Sequence, residues 1–205
     1  MKKTLLTVSL LVSAVAWVSA AEEKGFVPLF NGKDTTGWHL RKADGHNSWK
    51  VEDGILKNTV NKGEHGTDLV TDKKFMNFTV KYEYQVPDNS NSGFYLRGRH
   101  EIQILGDFAK GTTGLGGNGA IYNFKAPDKF VSKPGSEWQT AEATMIGNKI
   151  TVVLNGVKIH DNVEVKVDNT TSGMGGDPSQ PGPIMLQDHG DPVQFRNVWV
   201  LPAKE

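Results

Sequence analysis

Residues 91–106 read NSGFYLRGRHEIQILG, two short strands joined at Gly98. Side chains alternate faces along a strand. Phe94 and Leu96 then share one face of the first strand, and Tyr95 and Arg97 the other. On the second strand Ile102 and Ile104 are opposed to Glu101 and Gln103. The pattern predicts that Tyr95, Arg97, Glu101 and Gln103 crowd one solvent-open surface, with a core packed behind it. An arginine, a carboxylate, an amide and an aromatic ring are what a sugar-binding cleft uses. The same residues also fit an ordinary solvated sheet face.

Other residues join this set by position. Gln187 and His189 are two apart and point to one side of their strand. Tyr95 and Tyr122 offer rings for stacking on a sugar, with core packing as the competing role. Arg196 follows the core-type Phe195 and reaches either the cleft or the surface. Asp107 lies just past the Glu101 strand, as a metal ligand or a turn aspartate. Glu101, Gln103, Asp107 and His189 carry the oxygen and nitrogen atoms that calcium, manganese or zinc would take. No tight His/Asp/Glu spacing marks a metal motif. His100 has core parity or sits in the turn, and His39, His46, His65 and His160 occupy loops or strand ends without a partner pattern.

These residues must be positioned by a sheet. Met76, Phe78, Val80, Tyr82, Tyr84 and Val86 alternate with polar neighbours, which predicts a long half-buried strand. Asp53-Gly54 and Asn155-Gly156 each separate two apolar segments, as hairpin turns do. Ile184–Leu186 and Val193–Leu201 supply two closing strands. Short strands between turn signals predict an all-β sandwich or barrel. The glycine-rich run 106–119 lacks the following helix that a phosphate loop needs. Residues 168–183 read as a surface loop or lid.

The N-terminus carries an export signal. Lys2 and Lys3 precede an apolar run from Leu5 to Val18, and Val18-Ser19-Ala20 supplies small residues for cleavage before Ala21. Residues 1–20 are thus expected to be a signal peptide and residues 21–205 a single domain, periplasmic or extracellular. The chain has no cysteine, which excludes disulfides, thiolate metal sites, a cysteine nucleophile and a lipid anchor on cysteine. Without Lys2 and Lys3, 21 basic residues face 23 acidic ones. No basic patch is present, so a nucleic-acid partner is not expected and a neutral ligand is.

The ordered segments resemble a known family. They run from Phe26-Val27-Pro28-Leu29-Phe30-Asn31-Gly32 and Gly37-Trp38 through Trp49–Gly54, Asn91–Arg97 and Glu101–Leu105. Gly119–Tyr122, Glu137-Trp138, Leu154-Asn155-Gly156, Ile184–Gly190 and Val193–Val198 complete the series. Their order and spacing are similar to the 3-keto-disaccharide hydrolase domain family, formerly domain of unknown function 1080, over residues 26–201. The resemblance implies a concanavalin A-like jelly-roll, a sandwich of two antiparallel sheets with a sugar-facing surface.

It also implies a reaction. Some jelly-roll glucanases place two carboxylates on one strand as Glu-x-Asp-x-x-Glu, about 5 Å apart for retaining chemistry. Here Glu101 is followed by Gln103 and Gly106, so the second carboxylate is missing. A 3-keto sugar needs only one base, because the ketone acidifies the C2 hydrogen. Glu101 or His189 is the candidate base, and Arg97 or a divalent metal the candidate stabiliser of the enolate. Tyr95, Arg97, Gln103, Tyr122, Gln187 and Arg196 are the candidate substrate-binding residues. A sugar 3-dehydrogenase is the implied functional partner. The same residues would also serve a non-catalytic, lectin-like binding module.

Overall fold

The computed structural model describes residues 25–61, 64–166 and 173–203. The expected signal peptide lies outside the described residues, as does the start of the 168–183 loop. The described chain forms thirteen strands and one 3₁₀ turn, Phe108–Lys110.

The strands are β1 (Val27–Pro28), β2 (Trp38–Leu40), β3 (Trp49–Glu52), β4 (Ile55–Asn58), β5 (Leu69–Phe75), β6 (Phe78–Gln85) and β7 (Asn91–Leu96). They continue with β8 (His100–Leu105), β9 (Gln139–Ile146), β10 (Lys149–Leu154), β11 (Val157–Glu164), β12 (Gly182–Leu186) and β13 (Gln194–Pro202). One eight-stranded sheet runs β11-β10-β9-β6-β13-β4-β3, with β1 added on β13, and a five-stranded sheet runs β2-β5-β12-β7-β8. Every pairing between named strands is antiparallel.

Local chemistry accounts for the hairpins. Asp53 and Gly54 take φ of 52° and 77°, and Asn155 and Gly156 take 51° and 79°. Two consecutive positive φ values match the twist of paired strands, and Asn, Asp and Gly adopt them at least cost.

The core lies between the sheets. Phe78, Val80, Tyr82 and Tyr84 of β6 are buried there, as the alternation predicts. Tyr82 stacks on Phe94 of the other sheet with centroids 3.8 Å apart and planes at 5°. Trp38 and Trp49 join this core, whereas Trp199 packs with Phe26 in a separate cluster. Trp138 is only half-buried and carries the Arg196 guanidinium on its ring at 4.0 Å. Filling the inner faces with such residues contributes about 1.5–3 kcal/mol for each large side chain removed from water.

Candidate active site

Cross-strand register assembles the site on the outer face of the five-stranded sheet. Residues directly opposite in neighbouring strands project to the same side. His39 opposes Val70, Val70 opposes Met185, Met185 opposes Tyr95, and Tyr95 opposes Glu101. The backbone of Tyr122 donates to the Glu101 carbonyl at 3.0 Å, extending this row past the sheet edge. A second row runs beside it. Arg41 N donates to the Asp68 carbonyl, Gln187 N to the Gly93 carbonyl, and Gly93 opposes Gln103.

The first row has an apolar floor of Val70, Met185 and the Tyr95 ring, apart from the main core. At its end the Tyr95 hydroxyl donates to Glu101 Oε2 at 2.7 Å. Gln187 Nε2 donates to the same hydroxyl at 3.0 Å. Burial pushes the Glu101 carboxyl up to about 7; the Tyr95 hydrogen bond lowers it, and the charge of Asp68 raises it further. Burial, then the Glu101 charge, moves the Tyr95 phenol well above its usual range, while Arg41 opposes that shift. Tyr95 therefore remains a neutral donor, and Glu101 exchanges a proton near neutral pH.

Gly93 makes room for this arrangement. A Cβ there would lie 2.4 Å from Glu101 Oε1 and 2.9 Å from the Tyr95 ring. The Glu101 carboxylate occupies the space that any other residue's side chain would fill.

Gln103 donates from Nε2 to the Gly116 carbonyl at 3.2 Å. Its Oε1 and that of Gln187 are buried and have no hydrogen-bond partner among the described residues. Buried acceptors of this kind are costly unless something bonds them. Beside the second row a cleft of about 300 Å³ is lined by Arg41, Lys42, Gly66, Thr67 and Asp68. Arg41 Nη1 pairs with Asp68 at 3.0 Å, and Arg41 Nη2 donates to the Gly173 carbonyl at 3.1 Å.

The structure brings together Tyr95, Glu101, Gln103, Gln187 and, at the edge, Tyr122. Their face is not the open one that parity suggested. Tyr95, Glu101 and Gln103 are 0%, 5% and 3% exposed. The segment following the glycine-rich run bonds along β8 at Gln103 and Glu101, and Gly116 caps the Gln103 amide.

Arg97 leaves this face. It adopts φ of 54° and is followed by Gly98 at 65°, so the strand alternation ends at Leu96. Its Nε donates to the Met76 carbonyl and its Nη2 to the Gly147 carbonyl, both at 2.7 Å. Gly147 belongs to the β9–β10 turn of the eight-stranded sheet, and Met76 to the connection from β5 to β6 between the two sheets.

Arg196 lies on that other sheet as well. It pairs with Glu83 at 2.7 Å and stacks on Trp138. Parity placed it correctly outside the core, but on the wrong sheet for the site.

Asp107 is committed elsewhere. Its Oδ2 accepts from Asn118 N at 2.9 Å and its Oδ1 from the Ser132 hydroxyl at 2.7 Å. It is 3% exposed and pins the glycine-rich run. His189 is exposed, with its ring 6.5 Å from that of His65. Glu101, Gln103, Asp107 and His189 thus do not form one ligand set. Among the described residues no three His, Asp or Glu side chains gather as a metal would require.

Arg41, Asp68 and Met185 had no site role in the sequence expectation, and His39 stood among the histidines without a partner pattern. His39 Nδ1 lies 2.6 Å from Asp72 Oδ1. Period-two parity of His39 with Arg41, and of Asp68 with Val70, was available. Their meeting with Tyr95 depends on long-range pairing that no local pattern encodes.

Comparison with known proteins agrees with this architecture. The 3-keto-alpha-glucoside-1,2-lyase-like domain family matches residues 25–201. A 3-keto-disaccharide hydrolase of Bacteroides thetaiotaomicron is 26% identical over 226 aligned positions, covering 86% of this chain and 78% of the relative. A solved protein of Parabacteroides distasonis, named provisionally as a glycosyl hydrolase, is 29% identical, with a TM-score of 0.71 over 87% of this chain and 84% of that one. The β-glucanase of Bacillus licheniformis shares the fold at 13% identity, with a TM-score of 0.56 over 85% of this chain and 96% of its own. The two-sheet sandwich is therefore the glucanase-type jelly-roll, and the chain belongs to the 3-keto-alpha-glucoside-1,2-lyase-like domain family.

Proposed function

We propose that this protein is an exported carbohydrate-active enzyme that cleaves 3-keto glycosides, with Glu101 as the base that removes the C2 proton. The observation that carries the reading is the buried Glu101 carboxyl, raised to about 7 and fixed by the Tyr95 hydroxyl at 2.7 Å. A general base works best when its pKa lies near the working pH. The family and the Bacteroides relative support the substrate class.

The reaction divides into two parts. The C2–H bond breaks, its proton goes to Glu101, and its electron pair is delocalised on to the C3 oxygen as an enolate. Collapse of the enolate forms a C1–C2 double bond and expels the C1 oxygen with its electron pair. The expelled oxygen takes up a proton, and water then adds across the double bond to return a 3-keto sugar.

Arg41 takes the role first considered for Arg97. It is a cation on the same face whose charge reaches Tyr95, so it steadies developing negative charge. A divalent ion held by Glu101 and the free Gln103 Oε1 would supply the same help. Activity that disappears with chelator and returns with calcium, manganese or zinc selects the ion over Arg41.

Export is supported by Lys2, Lys3 and the apolar run to Val18. A separate sugar 3-dehydrogenase would make the ketone that this reaction requires.

The test is to incubate the protein with a 3-keto disaccharide in D₂O. Monosaccharide release, with deuterium at C2 of the keto product, is expected. Release without C2 deuterium sinks proton abstraction. Saturable sugar binding without release from keto or ordinary glycosides favours the lectin-like alternative, in which the orphan amide oxygens only hold hydroxyls.

A further inference from the structure

At one end of the sandwich two buried arginines stand together without a carboxylate among the described residues. Arg97 and Arg99 are 4% and 6% exposed. Among the described residues no ion pair includes either of them. Their bonds go to neutral carbonyls, Met76 and Gly147 for Arg97, Gly175 and Gln180 for Arg99. Among the described residues no hydrogen bond uses Arg97 Nη1 or Arg99 Nη2. Buried charges in folded proteins are normally paired, because carbonyl dipoles offset only part of the cost of removing an ion from water.

Both arginines line a cavity of about 250 Å³ between the sheets, together with His100 and Lys166. Among the described residues no aspartate or glutamate lines it. His100 is 3% exposed, and its Nδ1 is buried without a partner among the described residues. Asp177 feels the charge of Arg99 only as the least of several influences, and it is exposed. Arg97 is also held in the left-handed region at φ of 54°, where Asn or Gly is usual. Backbone strain persists only where the surroundings fix it, and such positions cluster at functional sites. Mutual repulsion and burial are visible in the groups themselves. The Arg97 guanidinium is lowered to about 10 by burial and then by Arg99, and His100 to about 4 by burial and then by both arginines.

We propose that Arg97, Arg99 and His100 form a binding site for a small oxyanion such as sulfate or phosphate, separate from the Glu101 site. Guanidinium groups match the oxygens of such ions with two donors at a time. The neutral His100 ring adds a directional hydrogen bond rather than a third charge. The cavity is smaller than those that hold drug-sized ligands, which restricts the bound group to a few atoms. Arg97 and Arg99 also line a neighbouring cavity of about 370 Å³ that reaches His39 and Val70 on the site face. A free ion and a sulfate carried on a sugar would present the same oxygens. This inference does not depend on the proposed reaction.

Thermal unfolding of the purified protein tests it. Sulfate at low millimolar concentration is compared with chloride at equal ionic strength, below the range where salt exclusion stabilises proteins generally. At ten times its dissociation constant sulfate should raise the melting temperature by about 3–6 °C, saturably. Arg99→Met should lose that increment. Equal behaviour in sulfate and chloride, or an unchanged sulfate increment in the variant, overturns the site. Should the variant fail to fold, crystals of the unaltered protein in selenate decide the matter. A selenium anomalous peak within hydrogen-bonding reach of Arg97 Nη1 and Arg99 Nη2 sustains the site, and its absence overturns it. Glucose 6-sulfate binding more tightly than sulfate identifies a sugar-borne ligand; the reverse order identifies a free ion.

Discussion

Tyr95 and Glu101 face each other across the β7–β8 pair, and the phenol hydroxyl donates to the carboxylate at 2.7 Å. The bond lowers the Glu101 pKa, yet burial outweighs it and the group sits near 7. The site thus keeps a carboxylate that is ionised at mildly alkaline pH at a cost to the fold. In the unfolded chain the same group titrates near 4.5. Between about 4.5 and 7 the folded state binds more protons from Glu101 than the unfolded state does. Its contribution to stability is therefore fullest below that window and is lost as pH rises through it.

Glu101→Gln should separate activity from stability. The amide keeps the shape but cannot accept the C2 proton, so kcat should fall on the order of 10²–10⁴-fold. In the unaltered enzyme kcat/KM should rise with pH through about 7, and that limb should vanish in the variant. At pH 8 the variant should be the more stable protein, by up to roughly 3 kcal/mol, because no buried carboxylate has to ionise. Urea unfolding at pH 5 and pH 8 measures the gap. A stability difference that does not widen from pH 5 to pH 8 argues against the raised pKa.

Gly93→Ala should disable the site without unfolding the protein. The added methyl would meet Glu101 Oε1 at 2.4 Å and the Tyr95 ring at 2.9 Å, so the pair must move. Misplacement of a catalytic group by about 1 Å costs on the order of 10²-fold in rate. Circular dichroism and kcat together read the outcome. A variant with wild-type kcat would show that the Glu101 position is immaterial.

His189→Ala tests the competing base. His189 is exposed, with its ring 6.5 Å from that of His65. The variant should retain kcat within about threefold, since removal of a real general base costs at least 10². A dead His189→Ala with an active Glu101→Gln would transfer the role to the histidine.

Parity put Tyr95, Glu101 and Gln103 on one face because these residues stay within regular strands, but it did not show that the face is covered. It failed at Arg97, where a positive φ at the turn resets the direction of the side chain. It could not place Arg196, since alternation distinguishes inside from outside but not one sheet from the other. Asp107 has the residue type of a metal ligand, and only the fold brings Asn118 and Ser132 to consume both its oxygens. His39, Arg41 and Asp68 reach the site through strand pairing between segments about thirty residues apart and further, as in Trp38 opposite Thr71. The hydrophobic period sets the face of each strand; the partner of each strand is chosen by whole-chain packing.

Arg196→Met carries the last prediction. Were Arg196 part of the sugar site, its loss would raise KM. In the structure it pairs with Glu83 at 2.7 Å on the eight-stranded sheet and covers the Trp138 ring. The Glu83 side chain is only 5% exposed, and Asn197 Nδ2 also donates to it at 2.7 Å. Removing the guanidinium leaves a buried carboxylate with one neutral donor. Breaking a buried pair from one side costs about 3–5 kcal/mol; Arg196, at 20% exposure, should fall at or below the low end of that range. Methionine preserves the apolar cover of the Trp138 ring, so the loss reports the charge rather than the packing. Urea unfolding should show the destabilisation, while KM and kcat on a 3-keto glycoside stay within about twofold of the unaltered enzyme. The double variant Glu83→Gln/Arg196→Met should recover part of the stability, because the uncompensated charge is then gone. A raised KM in a variant of undiminished stability would return Arg196 to the substrate site.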